Sequence, residues 1–187
     1  VGDHGAMLHW DGNAWSRQTS PTNASLSETA LVSATDGWAG GDRTILRWDG
    51  SSWTPFANPN ERSFDSIAMV SSADGWALDR YSILRWNGTE WLDTASPVFY
   101  SLWDIDMVSA SDGWIVGDVG TILHWDGLTW SAALSSTRQD LRAVAAASAT
   151  EAWAFGDGIV LHWDGQLWSE AVGQGIHAPT AAVMLSA

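Results

Sequence analysis

The sequence has no cysteine and no lysine, since all eight of its basic residues are arginines. Disulfide bonds, zinc–thiolate sites, catalytic thiolates and Schiff-base lysines are therefore excluded. No apolar run approaches the roughly 20 residues that a membrane helix needs. The 22 acidic residues give a formal net charge of −14, which repels phosphate backbones and anionic lipids. We therefore expect neither nucleic acid nor a membrane as a partner.

Tryptophan is abundant instead, with 15 residues in a chain of 187, and its positions reveal a repeat. One phrase occurs five times, as HWDGNAW, RWDGSSW, RWNGTEW, HWDGLTW and HWDGQLW. Its first tryptophan recurs every 38 or 39 residues, at Trp10, Trp48, Trp86, Trp125 and Trp163. A second phrase precedes it at the same period, as DGWAGGD, DGWALDR, DGWIVGD and EAWAFGD.

Each repeat predicts four short β-strands, which over residues 105–134 are IDMVSA, GWIVGD, TILHW and LTWSAAL. Four antiparallel strands in about 38 residues, repeated about five times, are typical of a β-propeller. We therefore predict an all-β, single-domain propeller of about five four-stranded blades over residues 1–187. The tryptophans then fill the seams between blades.

The repeated phrase predicts a tight hairpin rather than an active site. Asp126 and Gly127 fit a two-residue type I′ turn, in which both central residues take positive φ. The third copy has Asn87 at this position, a change that a turn tolerates and a catalytic carboxylate does not. The turn also predicts that Trp125 and Trp130 share one face of the blade.

Residues 112–130, DGWIVGDVGTILHWDGLTW, resemble the blade phrase GWAVGDxGTIL…TxDGGxTW of the Asp-box, or neuraminidase-type, repeat propellers. The similarity extends to the non-catalytic propellers of the photosystem assembly-factor kind, although the last hairpin here is one residue shorter. The resemblance covers every repeat and implies a propeller fold. In that family the Asp box is a structural hairpin found in enzymes, lectins and scaffolds, so fold alone does not imply function.

The two ends of the chain read as parts of one blade. VGDHGAMLHW at residue 1 matches VGDVGTILHW at 116, and VMLSA at 183 matches DMVSA at 106. This split blade lacks the counterpart of Thr35 to Ala39, most of a second strand. Three explanations stay open: a ring closed by a damaged blade, an excerpt of a longer propeller, or a gap filled by another chain. We expect a homo-oligomer or mobile ends around Val1 and Ala187.

The copies differ most in the loops that lead from one blade to the next, where binding usually occurs on a repeated scaffold. One sector is unusual: Phe99, Tyr100 and the unpaired Trp103 should neighbour the preceding Asp79, Arg80 and Tyr81. Exposed aromatic rings beside charged groups suit a sugar face or a peptide, so we predict a ligand site at these six residues. The alternative is that the rings fill a seam or the channel mouth.

No metal or cofactor site is expected. Asp3, Asp42, Asp118 and Asp157 recur in turns of separate blades, too far apart to share one ion. His9, His124 and His162 share one repeat position with Arg47 and Arg85, which argues against metal ligation.

Three functions remain open. We predict a non-enzymatic binding module or interaction scaffold with a protein or glycan ligand, since no acid, base and nucleophile converge. A carbohydrate-binding lectin is the first alternative. A sialidase-like glycoside hydrolase is the second, and it requires three arginines in one pocket, whereas Arg43, Arg62, Arg80 and Arg138 lie in different loops.

Overall fold

The computed structural model describes residues 1–171 and is built from short strands. The strands are β1 (Leu8–Trp10) and β2 (Trp15–Arg17); β3 (Leu26–Ser33), β4 (Asp36–Gly41), β5 (Thr44–Trp48) and β6 (Trp53–Pro55); β7 (Ser66–Ser71), β8 (Asp74–Asp79), β9 (Ser82–Trp86) and β10 (Trp91–Thr94); β11 (Leu102–Ser109), β12 (Asp112–Gly117), β13 (Ile122–Trp125) and β14 (Trp130–Ala132); and β15 (Leu141–Ser148), β16 (Glu151–Gly156), β17 (Ile159–Trp163) and β18 (Trp168–Glu170). Single 3₁₀ turns occupy Asp3–Gly5, Pro59–Glu61 and Asp118–Gly120. Within this part of the chain, no helix is long and apolar enough to cross a membrane.

The strands form four four-stranded antiparallel sheets and one two-stranded sheet, β1–β2. Each strand pairs with its neighbours in sequence, so every complete sheet is a meander and forms one blade. We number the complete blades 1 to 4 in chain order. Their first strands, β3, β7, β11 and β15, contact one another in sequence and line the centre. The predicted all-β propeller is confirmed, and the sheets agree with about five blades.

The N-terminal residues form part of the split blade as predicted. The turn Asp3–Gly5 repeats Asp118–Gly120 in detail, since His4 and Val119 both take φ near +57° (56° and 57°). Met7 packs on Leu26 and Leu46 of blade 1, which places β1 and β2 beside that blade. The predicted C-terminal strand of this blade, residues 183–187, lies outside the described residues. The predicted homo-oligomer or mobile ends therefore stay a prediction.

The tryptophans fill the seams between blades. In blades 1 to 3, the tryptophan of the second strand packs against the two hairpin tryptophans of the next blade. Centroid distances within these groups run from 4.6 to 5.4 Å. The three groups are Trp38 with Trp86 and Trp91, Trp76 with Trp125 and Trp130, and Trp114 with Trp163 and Trp168. Edge-to-face packing of large buried rings holds successive blades together.

The predicted two-residue type I′ turn is wrong. Trp125 pairs directly with Trp130, so four residues form the hairpin loop, and of Asp126 and Gly127 only the glycine has positive φ. The reason is a side-chain interaction: Asp126 Oδ1 accepts hydrogen bonds from the backbone N–H groups of Leu128 and Thr129, both at 2.8 Å. Such Asx turns compete with the tighter turn. The shared face of the two tryptophans is confirmed, with ring centroids 5.6 Å apart.

Substitutions at the two recurring positions of this loop should differ in how much stability they cost. Gly127→Ala should lower the free energy of unfolding by at least ~1 kcal/mol. Gly127 has φ of +92°, and an added Cβ would lie 3.0 Å from the Cβ of Ser111. Asp126→Asn should be nearly neutral, because Asn87 accepts the equivalent hydrogen bonds at 2.9 and 3.0 Å. Urea titration of both variants measures the difference, and equal losses would contradict this description of the loop.

Candidate functional site

A cavity of about 860 Å³ opens at the centre of the propeller, where the first strands begin. The first strands and the loops beside them line it with polar and charged groups. The lining residues are Ser27, Glu28, Ser63, Asp65, Ser66, Asp79, Arg80, Tyr81, Trp103, Asp104 and Arg142.

β-Bulges place two of the largest lining side chains. In β11 the pairing with β12 shifts by one residue between Leu102 and Asp104, so Trp103 is the extra residue. The same shift between Leu141 and Ala143 leaves Arg142 extra in β15. A bulge redirects a side chain and ends regular pairing locally. Trp103 and Arg142 thus occupy the same repeat position in adjacent blades and both reach the cavity.

Two guanidinium groups lie over the indole of Trp103. The distances from the arginine Cζ to the ring centroid are 4.5 Å for Arg80 and 4.4 Å for Arg142. The indole Nε1 donates a hydrogen bond to Asp118 Oδ1 at 2.6 Å. Arg142 is neutralised, since it pairs with Asp118 at 3.4 Å and with Asp140 at 2.8 Å. Stacking of this kind orients a cation and contributes about 0.5–1 kcal/mol at an exposed site.

The charge of Asp118 is stabilised by this arrangement. Partial burial acts to raise the pKa of its carboxyl group. Hydrogen bonds from Trp103 and Ser101, together with the positive charges of Arg142 and Arg80, outweigh burial and lower that pKa below its ordinary value. Asp118 therefore stays ionised and holds both Trp103 and Arg142 in place.

Arg80 differs from Arg142, because it makes no ion pair with any residue in the described part of the chain. Its backbone is fixed on both sides: the N–H donates to Asp65 Oδ2 at 3.1 Å, and the carbonyl accepts from the N–H of Leu102 at 2.6 Å. Its exposed guanidinium stacks on Trp103. Within residues 1–171, no acidic side chain lies within ion-pair distance of this group. A fixed, unpaired guanidinium is suited to bind an anionic group.

Four of the six predicted site residues, Asp79, Arg80, Tyr81 and Trp103, line the cavity together. Phe99 and Tyr100 do not line it; they project from the preceding loop, with Phe99 100% exposed and Tyr100 51% exposed. Neither ring fills a seam. Whether the six residues bind a ligand stays a prediction.

Asp79 is already paired. Its Oδ2 accepts from Arg62 at 3.1 Å, and the other guanidinium nitrogen of Arg62 contacts Asp93 at 2.7 Å. Asp79 thus shares a single guanidinium group with Asp93.

Sequence reasoning missed Arg142 and the acidic wall of Glu28 and Asp104. Arg142 stands 39 residues after Trp103, and this repeat spacing was the signal that could have identified it. Asp104 links three central strands: it accepts from Ser66 at 2.9 Å in β7 and from the N–H of Val144 at 2.8 Å in β15. No sequence pattern indicates that bridge.

Burial raises the pKa of Asp104 to about 6, with the negative charge of Glu28 adding to the increase, while hydrogen bonds from Val144, Ser66 and Ile105 oppose it. Burial is also the main cause that raises the pKa values of Glu28 and Asp106. The central strands therefore carry carboxyl groups that bind protons more readily in the folded than in the unfolded chain.

This predicts that stability rises as the pH falls from about 7 to about 5. Between its ordinary pKa and about 6, Asp104 binds more protons in the folded state, so the free energy of unfolding decreases as pH increases through this window. The expected gain on acidification is on the order of 1 kcal/mol. Urea titrations across this range measure it. Asp104→Asn, which cannot ionise, should show a smaller pH dependence; an identical dependence in both proteins would contradict the role of Asp104.

The remaining polar repeats have structural roles. His124 Nε2 lies 2.8 Å from Asp112, and His162 Nε2 lies 3.1 Å from Glu151, each at the start of a second strand. Arg47 and Arg85 make the equivalent contacts with Asp36 and Asp74. Over residues 1–171, no group of three or more histidine, aspartate or glutamate side chains is placed to hold a metal ion. Of the described arginines, Arg80 and Arg142 line the cavity.

Solved structures show the same fold. YCF48 bound to a D1 peptide has a TM-score of 0.69 and 19% identity, covering 91% of this chain and 60% of that one. YCF48 from Cyanidioschyzon merolae has a TM-score of 0.68 and 18% identity, with 86% and 64% covered. U3-55K has a TM-score of 0.71 and 14% identity, with 95% and 63% covered. The chain thus spans less than two thirds of each of these structures. No protein-family model and no curated protein matches its sequence.

The resemblance of the repeats to propellers of the photosystem assembly-factor kind is therefore confirmed at the level of the fold. At these identities the similarity establishes a repeat β-propeller and no more.

Proposed function

We propose that this protein is a non-enzymatic binding module that holds an extended segment of another protein at the channel mouth. One observation carries the proposal: the guanidinium of Arg80, unpaired among the described residues, is fixed over Trp103 at the edge of a cavity of about 860 Å³. Ligand sites commonly have volumes of about 300–1,000 Å³ with a few converging polar groups.

The lining defines the chemistry of the ligand. Arg80 offers two parallel N–H donors to a carboxylate of the bound segment. Tyr81 is exposed on the cavity wall and provides an aromatic face for apolar parts of the ligand. Asp79 is held on the wall by Arg62, which it shares with Asp93. Four of the six predicted residues thus line the proposed surface, and Phe99 and Tyr100 lie on the loop outside it.

Two further points support a binding module over an enzyme. YCF48, which shares the fold, is known in a structure with a D1 peptide bound. A sialidase-like hydrolase needs three arginines around one carboxylate, whereas the cavity has Arg80 and Arg142 among its described lining residues, and Arg142 is paired with two aspartates.

A carbohydrate-binding lectin is the second candidate, and exposed Tyr81 and Tyr100 favour it, because sugar faces stack on such rings. An oligosaccharide array separates the two candidates. Saturable glycan binding that Arg80→Ala leaves intact would favour the lectin.

The protein-segment proposal predicts that Arg80→Ala weakens ligand binding at least ~10-fold, the loss expected for a charged hydrogen bond. Selection from a displayed random-peptide library supplies the probe peptides, and fluorescence anisotropy measures their affinity. Arg43→Ala is the control, because Arg43 lies in the corresponding turn of blade 1, one position after the counterpart of Arg80, and does not line the cavity. Equal losses in both variants, or no effect of either, would refute a site at Arg80.

A further inference from the structure

Two grooves lie at the outer edge of the propeller, at successive seams between complete blades. The first has a volume of about 340 Å³ and lies between blades 2 and 3. The second, of about 450 Å³, lies between blades 3 and 4. Residues 94–97 or 133–136, at the end of a fourth strand and after it, form one wall of each groove. The other wall is the hairpin between the third and fourth strands of the next blade. We call these two sites the outer grooves.

Leucine side chains are open to solvent at both outer grooves. Leu128 in the first and Leu134 in the second are 83% and 94% exposed, more than any other large aliphatic side chain among residues 1–171. Leu167 lines the second outer groove as well and is 54% exposed. The buried rings of Trp130 and Trp168 contribute to the same two linings. Exposed apolar groups that gather around concave surfaces indicate an interaction site, whereas a single exposed leucine needs no explanation.

The copies of the repeat in blades 1 and 2 show that the fold does not require these leucines. Their hairpins keep the same register, with the first tryptophan directly opposite the second. Yet they have polar or small residues at the three positions: Ser51 and Thr89 for Leu128, Ala57 and Ala95 for Leu134, and Ser52 and Glu90 for Leu167. The leucines of blades 3 and 4 are therefore a departure from the repeat that stability does not explain.

A carboxylate lies in each hairpin beside these leucines. Asp126 accepts hydrogen bonds from the N–H groups of Thr129 and Leu128, both at 2.8 Å, and Asp164 accepts the equivalent bond from Leu167 at 3.0 Å. These backbone hydrogen bonds, with those of Thr129 and Leu167 the largest causes, lower the pKa of both carboxyl groups. Both side chains are exposed, and none of the eight arginines, all within residues 1–171, pairs with either. The outer grooves thus combine apolar walls with uncompensated negative charge.

We propose that the outer grooves form a second binding site, which takes a segment of another protein in which leucine-like side chains alternate with lysine or arginine. The apolar side chains of that segment pack against Leu128 and Leu134, and its cations face Asp126 and Asp164. A second copy of this chain is disfavoured as the occupant. Each copy has a net charge of −14, and joining two copies through this face would bring their hairpin aspartates together.

Two labelled peptides, KLKLKLK and ELELELE, test the proposal by fluorescence anisotropy with the intact chain at an ionic strength of about 0.05 M. We expect saturable binding of the basic peptide with Kd below about 100 µM, and binding of the acidic peptide at least ~10-fold weaker. Hydrogen exchange of the amides of residues 126–129 should slow when the basic peptide is added, which locates it at the hairpin of blade 3.

The apolar contribution is tested with substitutions that the chain itself shows to be compatible with the fold. Leu128→Ser and Leu134→Ala introduce the residues that blade 1 has at these positions, Ser51 and Ala57. Each should weaken binding of the basic peptide about 5-fold, because apolar area at the interface is lost. Leu31→Ala is the matched control and should have no effect, since Leu31 is 64% exposed and lines neither outer groove.

The electrostatic contribution is tested in the same way. The double variant Asp126→Asn with Asp164→Asn keeps the hairpins, as Asn87 does in blade 2, and removes two charges. It should weaken binding of the basic peptide about 5-fold. Asp49→Asn is the control, because Asp49 makes the same hairpin contacts in blade 1 but lies outside both outer grooves.

The two proposed sites are distinguishable, since Arg80→Ala should leave the affinity for the basic peptide unchanged. Failure of the cavity proposal would therefore not affect this result. The outer-groove proposal would be overturned by the absence of saturable binding, by equal binding of the two peptides, or by losses in the control variants as large as those in the groove variants. A dimer in sedimentation that Leu128→Ser dissociates would assign the outer grooves to a second copy and overturn it as well.

Discussion

Trp76→Ala should lower the free energy of unfolding by about 3–5 kcal/mol, the cost of removing a fully buried ring. Trp76 is 0% exposed, and its ring lies 4.6 Å from Trp125 and 5.3 Å from Trp130. Its removal leaves a void at the centre of the seam between blades 2 and 3. Urea denaturation followed by circular dichroism measures the loss.

Trp153→Ala is the matched control, because Trp153 occupies the same repeat position in blade 4. Trp153 stacks on His162 at 4.4 Å and donates Nε1 to Glu151 at 2.8 Å, but it is only half-buried. The hairpin pair of the split blade, Trp10 and Trp15, stays 47% and 67% exposed. We expect the loss from Trp153→Ala to be less than half of that from Trp76→Ala. Equal losses would contradict the difference in packing between these two positions.

Trp103→Ala should weaken binding of cavity ligands about 100-fold with little loss of stability. The indole aligns Arg80 at 4.5 Å and anchors Asp118 at 2.6 Å, so its removal frees the cation that the ligand contacts. Tyr100→Ala should weaken binding less, about 5-fold, because its ring is exposed and outside the cavity lining.

The comparison variant for stability is Trp125→Ala, which removes a ring that is 2% exposed and lies in a seam. Thermal unfolding of both variants measures stability, and peptide anisotropy measures ligand binding. Together they separate a role in the core from a role in binding. If Trp103→Ala lowers the melting temperature as far as Trp125→Ala does, Trp103 belongs to the core, and the cavity proposal loses its central contact.

Much of the site was predictable because it combines the turn between β8 and β9 of blade 2 with the start of β11, the first strand of blade 3. Arg80, Tyr81 and Trp103 stand out in sequence as departures from the repeat, and the propeller topology places consecutive loops side by side. The Leu102 N–H donates a hydrogen bond to the carbonyl of Arg80, which shows that the turn and the start of β11 lie side by side. Phe99 and Tyr100 fit the same pattern, yet their loop directs them outward, since loop direction depends on local backbone geometry rather than on repeat spacing.

The hairpin error has a similarly local cause. Asp-Gly is compatible with both a type I′ turn and an Asx turn, and the sequence does not distinguish them. The choice depends on whether Asp126 Oδ1 reaches two N–H groups, which fixes Trp125 opposite Trp130 instead of opposite Leu128.

The sequence alone determined the repeat, the strand composition of each blade and the role of tryptophan, because a period of 38 or 39 residues with alternating apolar positions permits few other folds. Tertiary structure decided which groups share the channel mouth. Bulges at Trp103 and Arg142 turn these side chains inward, and Asp104 joins three central strands. The Asp104 hydrogen bonds join residues 38 and 40 positions apart, which meet only when the blades pack around one centre.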